Sequence, residues 1–147
     1  MNNETPIKPA SILPRFAKAL AAMSSPKANK VNPAFRSKYC TLDVILDHVR
    51  TILAKHDLAL YQSPVSLADG RMVIHTYIVG PEGEYSLGSI PVNAKPESTP
   101  QALGSAITYA RRQAVQACLG IATDADDDGA AGSTIPTTKK WEPKANG

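Results

Sequence analysis

Residues 58–91 read LALYQSPVSLADGRMVIHTYIVGPEGEYSLGSIP, and they contain three runs that favour β-strands, separated by two turn signals. The first turn is Ala68-Asp69-Gly70, because Asp-Gly is a strong hairpin signal. The second is Gly80-Pro81-Glu82-Gly83. We therefore predict a three-stranded antiparallel meander, with strands over Leu58–Val65, Arg71–Val79 and Glu84–Pro91.

Three amphipathic segments flank these strands and predict helices, since apolar residues recur in them at helical spacing. They cover Ser11–Met23, Thr41–His56 and Thr99–Gly120. Their starts are marked by Ser11, Thr41 and the Thr99-Pro100 pair, and their ends by left-handed Asp57 and by Gly120. The fold class we expect is α+β, a three-stranded antiparallel β-meander packed with helices.

The third helix carries two different faces. We predict that its apolar stripe is buried and that its polar stripe, with Gly104 and Arg111 beside it, suits close approach to a phosphate backbone. Paired arginines on a helix also occur on solvated faces. Gly104 and Ser105 have two possible roles, approach of a strand or tight packing of the helix on the sheet. The apolar stripe is Leu103, Ile107, Ala110, Ala114 and Ala117, and the polar stripe is Gln101, Ser105, Thr108, Arg112 and Gln116.

A basic segment from Ser24 to Cys40 precedes the second predicted helix, and we interpret it as an extended loop. It carries four basic residues and no acidic one, interleaved with aromatic residues. Cations attract phosphates and aromatic rings stack on bases. The alternative is a solvated connector whose Phe35 or Tyr39 packs into the core. The basic residues are Lys27, Lys30, Arg36 and Lys38.

The charge of this 147-residue chain is unevenly distributed, although its net value is only +3. Residues 1–57 carry nine basic and four acidic side chains, whereas residues 124–147 carry three basic and five acidic ones. Such an asymmetry indicates an anionic partner. A hydrophobic fraction of 43% is enough for one core domain.

The sequence also limits compartment and chemistry. Two unpatterned cysteines fit a reducing compartment, and no run is apolar enough to span a bilayer or act as a secretion signal. Asp124–Gly129 matches half of a calcium loop, but Ile135 stands where the final Glu belongs. Hydrolase, zinc and nucleotide-binding motifs are absent. We expect that the protein is not an enzyme. The enzymatic alternative is a metal-dependent nuclease that uses Asp124, Asp126 and Asp128.

Four segments together resemble the essential recombination function (ERF) family, which comprises single-strand annealing proteins of phages and prophages. The resemblance spans about Pro33 to Gly129. The chain departs from the family pattern at three positions. Cys40 stands where Ala is expected, Gln113 where an aromatic residue is expected, and Asp57 where Gly is usual. The matching segments are NPAFRSKY (32–39), AKHDLA (54–59), QALGSAITYARR (101–112), and LGIA (119–122) with the acidic run that follows it.

The resemblance implies a β-β-β-α core, assembly into rings or filaments, and ATP-independent annealing of complementary DNA strands in the cytoplasm of a bacterial host. Single-stranded DNA is then the main partner, with a partner exonuclease and a host single-strand binding protein as further ones. We expect no cofactor, with magnesium left open as an aid to annealing. The domains we predict are 1–24 (arm and helix), 25–129 (annealing domain) and 130–147 (flexible tail, short for the family).

The hypothesis from sequence is therefore a DNA-binding groove with one wall on the third helix and the other on the basic segment. The rival hypothesis is a non-enzymatic accessory module that recruits a replication or recombination partner through the acidic segment and tail. Binding of single-stranded DNA discriminates between the two. The predicted DNA-binding residues are Lys27, Lys30, Arg36, Lys38, Tyr39, Arg111 and Arg112, with Phe35 as a further aromatic.

Overall fold

The computed structural model describes residues 11–123, which form three helices and two antiparallel sheets. This confirms the α+β class with a three-stranded meander. No helix in this described range is both long and apolar enough to cross a membrane. The elements are α1 (Leu13–Ala22), β1 (Lys30–Val31), β2 (Lys38–Tyr39), α2 (Leu42–Ala54), β3 (Ala59–Ser66), β4 (Met72–Gly80), β5 (Gly83–Pro91) and α3 (Pro100–Leu119).

The meander places β4 in the centre, antiparallel to β3 on one side and to β5 on the other. The predicted Asp-Gly turn is confirmed: Gly70 has a φ of +84°, and the Leu67 amide donates to the Arg71 carbonyl at 2.7 Å. Strand bounds agree with the prediction to within one residue. One irregularity in the β4–β5 register lies between His75 and Tyr77.

The helix ends follow the capping rules at three of the five predicted positions. The Thr99 hydroxyl accepts from the Ala102 amide at 3.1 Å, while Gly120 and Asp57 adopt φ values of +66° and +55°. Ser11 lies one residue too early, since Ile12 is the N-cap of α1. Thr41 is the N-cap of α2 but makes no side-chain capping bond. Its hydroxyl accepts instead from the Asn29 side-chain amide at 3.1 Å.

The core lies between the helices and the inner face of the sheet. Ile74 and Ile78 of β4 project into it and are fully buried. The helix α1 contributes Phe16 and Ala19 to the same core. Other fully buried side chains include Ile45, Val49 and Leu53 of α2 and Val115 of α3.

The division of the chain into domains at residues 24 and 129 stays a prediction.

The predicted faces of α3 agree with the structure as far as Ala114 and are wrong near the end of the helix. Ala110 and Ala114 are buried as predicted, but Ala117 is exposed and Gln116 is buried. After Gly120 the chain returns over the helix, and the Gln116 side-chain amide donates to the buried Thr123 hydroxyl. The spacing of apolar residues within one helix carries no information about the segment that covers the helix.

Gly104 is exposed on α3, and a Cβ built on it meets no atom within 4 Å. The alternative in which Gly104 permits tight packing on the sheet is therefore wrong. We expect Gly104→Ala to stabilise the fold by about 0.5–1 kcal/mol, because glycine inside a helix has excess backbone entropy when unfolded. The melting temperature, followed by circular dichroism, should rise by about 2–6 °C.

The matched control is Gly120→Ala, which places a Cβ at a left-handed position and should lower the melting temperature. A Gly104→Ala protein that melts earlier than the wild type would contradict the open environment of this residue.

Candidate nucleic-acid interface

The basic segment, predicted as an extended loop, contains a short hairpin. Lys30 pairs with Tyr39 and Val31 with Lys38, and the Asn32 amide donates to the Ser37 carbonyl at 2.8 Å. The loop prediction is wrong here because two-residue strands are too short to show an alternating pattern. We call β1, β2 and the residues between them the basic hairpin (residues 30–39).

The basic hairpin is attached firmly to the start of α2. The Asn29 side-chain carbonyl accepts from the Thr41 backbone amide at 2.9 Å, and the Asn29 backbone amide donates to the Tyr39 carbonyl at 3.1 Å. The buried Cys40 thiol donates to the Lys27 carbonyl at 2.9 Å. These bonds fix where the base of the hairpin lies relative to the helices.

The tip of the basic hairpin presents an aromatic ring and a cation to solvent. Phe35 is 61% exposed, so the alternative in which Phe35 packs into the core is wrong. Arg36 beside it has a φ of +51°. Lys27, Lys30 and Lys38 are also exposed. The basic hairpin thus presents three exposed cations, Lys30, Arg36 and Lys38, together with Phe35 to solvent.

Arg112 joins α3 to the basic hairpin. Its guanidinium carbon lies 4.8 Å from the centre of the Tyr39 ring and 5.3 Å from that of Tyr109. Both distances fall within cation–π range, and a planar guanidinium stacks well on such rings. Its Nε is buried and has no hydrogen-bond partner within residues 11–123. Two tyrosines therefore hold a cation whose buried donor is unsatisfied.

Arg111, although adjacent in sequence, lies against β3. Its Nε donates to the Gln62 side-chain carbonyl at 3.3 Å, and the Gln62 amide donates to the Arg111 backbone carbonyl at 3.1 Å. The two arginines project about 100° apart around the helix. The structure therefore brings Arg112 and Tyr39 together and places Arg111 apart from them.

Tyr109 is the residue that sequence reasoning missed at this site. It lies three positions before Arg112, a spacing that places two side chains on one helix face. That signal was present in the sequence. Its role becomes apparent only in the structure, where Tyr39 of the basic hairpin supplies a second ring beside Arg112.

The structure does not test which residues contact DNA. The seven predicted DNA-binding residues therefore stay a prediction: Lys27, Lys30, Arg36, Lys38, Tyr39, Arg111 and Arg112.

A second aromatic surface lies on the outer face of the sheet. The Tyr61 and Tyr77 rings stack with centroids 4.8 Å apart, and His75 stacks on Tyr77 at 4.7 Å. The Tyr61 hydroxyl donates to the Glu84 carboxylate, and this bond raises the pKa of Tyr61 to about 12. Unlike the basic hairpin, the strands β3, β4 and β5 carry one carboxylate, Glu84, and no lysine or arginine.

No group of three His, Cys, Asp or Glu side chains that could hold a metal ion occurs between residues 11 and 123. The acidic run that includes Asp124, Asp126 and Asp128 lies outside the described residues, as does Ile135. The calcium and nuclease alternatives for that run therefore stay untested.

Comparison with protein families identifies a match over most of the chain. The family model described as the ERF superfamily matches residues 14–146, nearly the whole chain. No curated protein and no solved structure matches the chain. The matched range includes the basic hairpin, the meander and α3. The chain belongs to the ERF superfamily.

Proposed function

We propose that this protein binds single-stranded DNA on the surface formed by the basic hairpin and α3. The observation that carries the proposal is Arg112, whose guanidinium lies within cation–π range of both Tyr39 and Tyr109 beside the basic hairpin. A guanidinium held in this way can donate its N–H groups to phosphate oxygens, and a hydrogen bond to a charged group contributes about 1.5–3 kcal/mol. Membership of the ERF superfamily supports a role in recombination by single-strand annealing.

The chemistry of annealing fits a surface of this composition. Flexible lysines and arginines hold the phosphate backbone, and exposed Phe35 can stack on or separate bases. Backbone contacts carry no sequence information. A strand held in this way keeps its base edges available to a complementary strand, so pairing needs no nucleotide hydrolysis.

Charge favours this surface over the outer face of the sheet. The strands β3, β4 and β5 contain no lysine or arginine, and their Glu84 carboxylate would repel phosphates. Aromatic rings alone do not supply the salt-dependent attraction on which single-strand binding depends. The distribution of charge therefore supports the hairpin side as the proposed DNA-binding surface.

The full proposal includes assembly into a ring or filament that aligns the binding surfaces of neighbouring copies. The partner exonuclease and host single-strand binding protein are proposed as further partners through the resemblance alone. Within the chain itself, no catalytic step is required.

The test is annealing of two complementary oligonucleotides without ATP, with and without magnesium, followed by negative-stain imaging. We expect faster annealing than in buffer and visible rings or filaments. Absence of a gel shift with single-stranded DNA would overturn DNA binding and favour the accessory-module alternative. Magnesium-dependent loss of strand length would indicate a nuclease. Light scattering that shows only monomers, with and without DNA, would overturn the assembly.

A further inference from the structure

Two cavities lie side by side along α3, on the side that faces the end of β5. The first, of about 600 Å³, is lined by α3 from Ser105 to Gln113 and by the end of β5. The second, of about 810 Å³, lies between the β3–β4 turn and the segment that precedes α3. Both are lined by Pro91 and Asn93. We call these two adjoining cavities together the α3 groove.

The α3 groove has an apolar floor and a polar rim. Half-buried Ile90 and Ala106 and buried Ala110 line the floor, while Asn93 and Gln113 bring side-chain amides to the same cavity. A nucleobase is complementary to this pattern, because its faces are apolar and its edges form hydrogen bonds. Stacking on rings and apolar surface is the main sequence-independent contact that proteins make with single-stranded bases.

Positive charge lies at both ends of the groove. At one end Tyr109 lines the first cavity and also stacks on Arg112. At the other end Arg71 and Lys95 line the second cavity. The one acidic side chain lining either cavity is Asp69, which pairs with the Arg71 Nε at 2.7 Å. The far end therefore retains the charge of Lys95.

The dimensions suit a short length of strand. Leu103, which lines the second cavity, lies nine positions before Arg112 on the same helix. A rise of 1.5 Å per residue separates them by about 13 Å along the axis. This distance accommodates about four stacked nucleotides at 3.4 Å per step.

We propose that the α3 groove continues the path of the bound strand, with nucleobases on its apolar floor and phosphates drawn to Lys95 and Arg71. This inference rests on the proposed function and adds two cations that sequence reasoning did not select. Positive charge at both ends favours a nucleic acid over a neutral peptide or a second copy of this chain as the occupant.

The test compares two charge-matched double variants in binding to fluorescein-labelled oligothymidylate of about 30 nucleotides, over a range of salt. Arg71→Gln/Lys95→Gln removes the groove cations. The control Lys18→Gln/Lys55→Gln removes two exposed cations, one on α1 and one directly after α2. Each lost phosphate contact lowers the salt slope by about 0.7 on single strands. Because Arg71 is paired with Asp69, we expect the slope to fall by at least about 0.7, the contribution of Lys95, for the first variant and to stay unchanged for the second.

A steric pair tests the floor of the groove. Ser105→Trp fills the first cavity from an exposed helical position, and Ala21→Trp places the same ring on an exposed position of α1 that lines neither cavity. We expect at least fivefold weaker binding for Ser105→Trp and wild-type binding for Ala21→Trp. Circular dichroism establishes that both variants fold.

These experiments distinguish failure of the proposed function from failure of the groove inference alone. If the wild type does not bind the oligonucleotide, the proposed function fails and the groove inference fails with it. If the wild type binds and Arg112→Ala weakens binding, but the groove variants match their controls, the groove inference alone is wrong. A change in oligomeric state without a change in DNA affinity would assign the groove to a second copy and also overturn it.

Discussion

Arg112→Ala is expected to weaken binding of single-stranded DNA by about tenfold to a hundredfold, and Arg111→Ala is expected to weaken it far less. A hydrogen bond to a charged group contributes about 1.5–3 kcal/mol, and each 1.4 kcal/mol corresponds to a factor of ten in affinity. Arg112 is stacked against the basic hairpin, while Arg111 is hydrogen-bonded to Gln62 on the sheet. Fluorescence anisotropy with a labelled oligonucleotide at fixed salt measures both losses.

Two further variants distinguish stacking from charge alone. Arg112→Lys keeps the charge but loses the planar group that stacks between two rings, so we expect an affinity between those of the wild type and Arg112→Ala. Tyr109→Leu removes one ring and keeps an apolar side chain on the exposed helix face. Equal losses for Arg111→Ala and Arg112→Ala, in proteins with unchanged circular dichroism, would contradict the asymmetry.

Most of the fold was accessible from sequence because its signals are local. Gly70 forms the turn that Asp-Gly predicts, and Thr99 and Gly120 delimit α3 through hydrogen bonds and a left-handed φ. The buried stripe of α2 follows the helical period at Ile45, Val49 and Ile52. Each of these features is specified within a few residues of the chain, so the pattern and the structure agree.

The candidate site was only partly accessible, because its geometry depends on contacts distant in sequence. Arg112 and Tyr39 are 73 positions apart, and nothing in either segment specifies that they touch. The difference between Arg111 and Arg112 depends on Gln62, which lies on a strand. Burial of Gln116 depends on the returning segment at Thr123. Composition identified the basic segment and the arginine pair of α3, whereas tertiary packing decided which side chains meet.

Neutralising the basic hairpin is expected to have the largest effect on binding. The triple variant Lys30→Gln/Arg36→Gln/Lys38→Gln removes three exposed cations from one projecting element. Each phosphate contact contributes about 0.7 to the salt slope on single strands, so the slope should fall by about 2. Affinities that are equal near 1 M salt then differ by about a hundredfold near 0.1 M salt. Titrations across this salt range measure both quantities.

The matched control is Lys18→Gln/Arg50→Gln/Lys55→Gln, which changes the net charge equally. These three side chains are exposed on or beside α1 and α2, and their only ion pair is a 3.9 Å contact between Arg50 and Asp47 within the described residues. If net charge alone attracted DNA, both triple variants would lower the slope alike, and the hairpin would have no special role. A slope that falls only for the hairpin variant assigns the attraction to the surface beside Arg112, because long-range charge is screened beyond about 10 Å at 0.1 M salt.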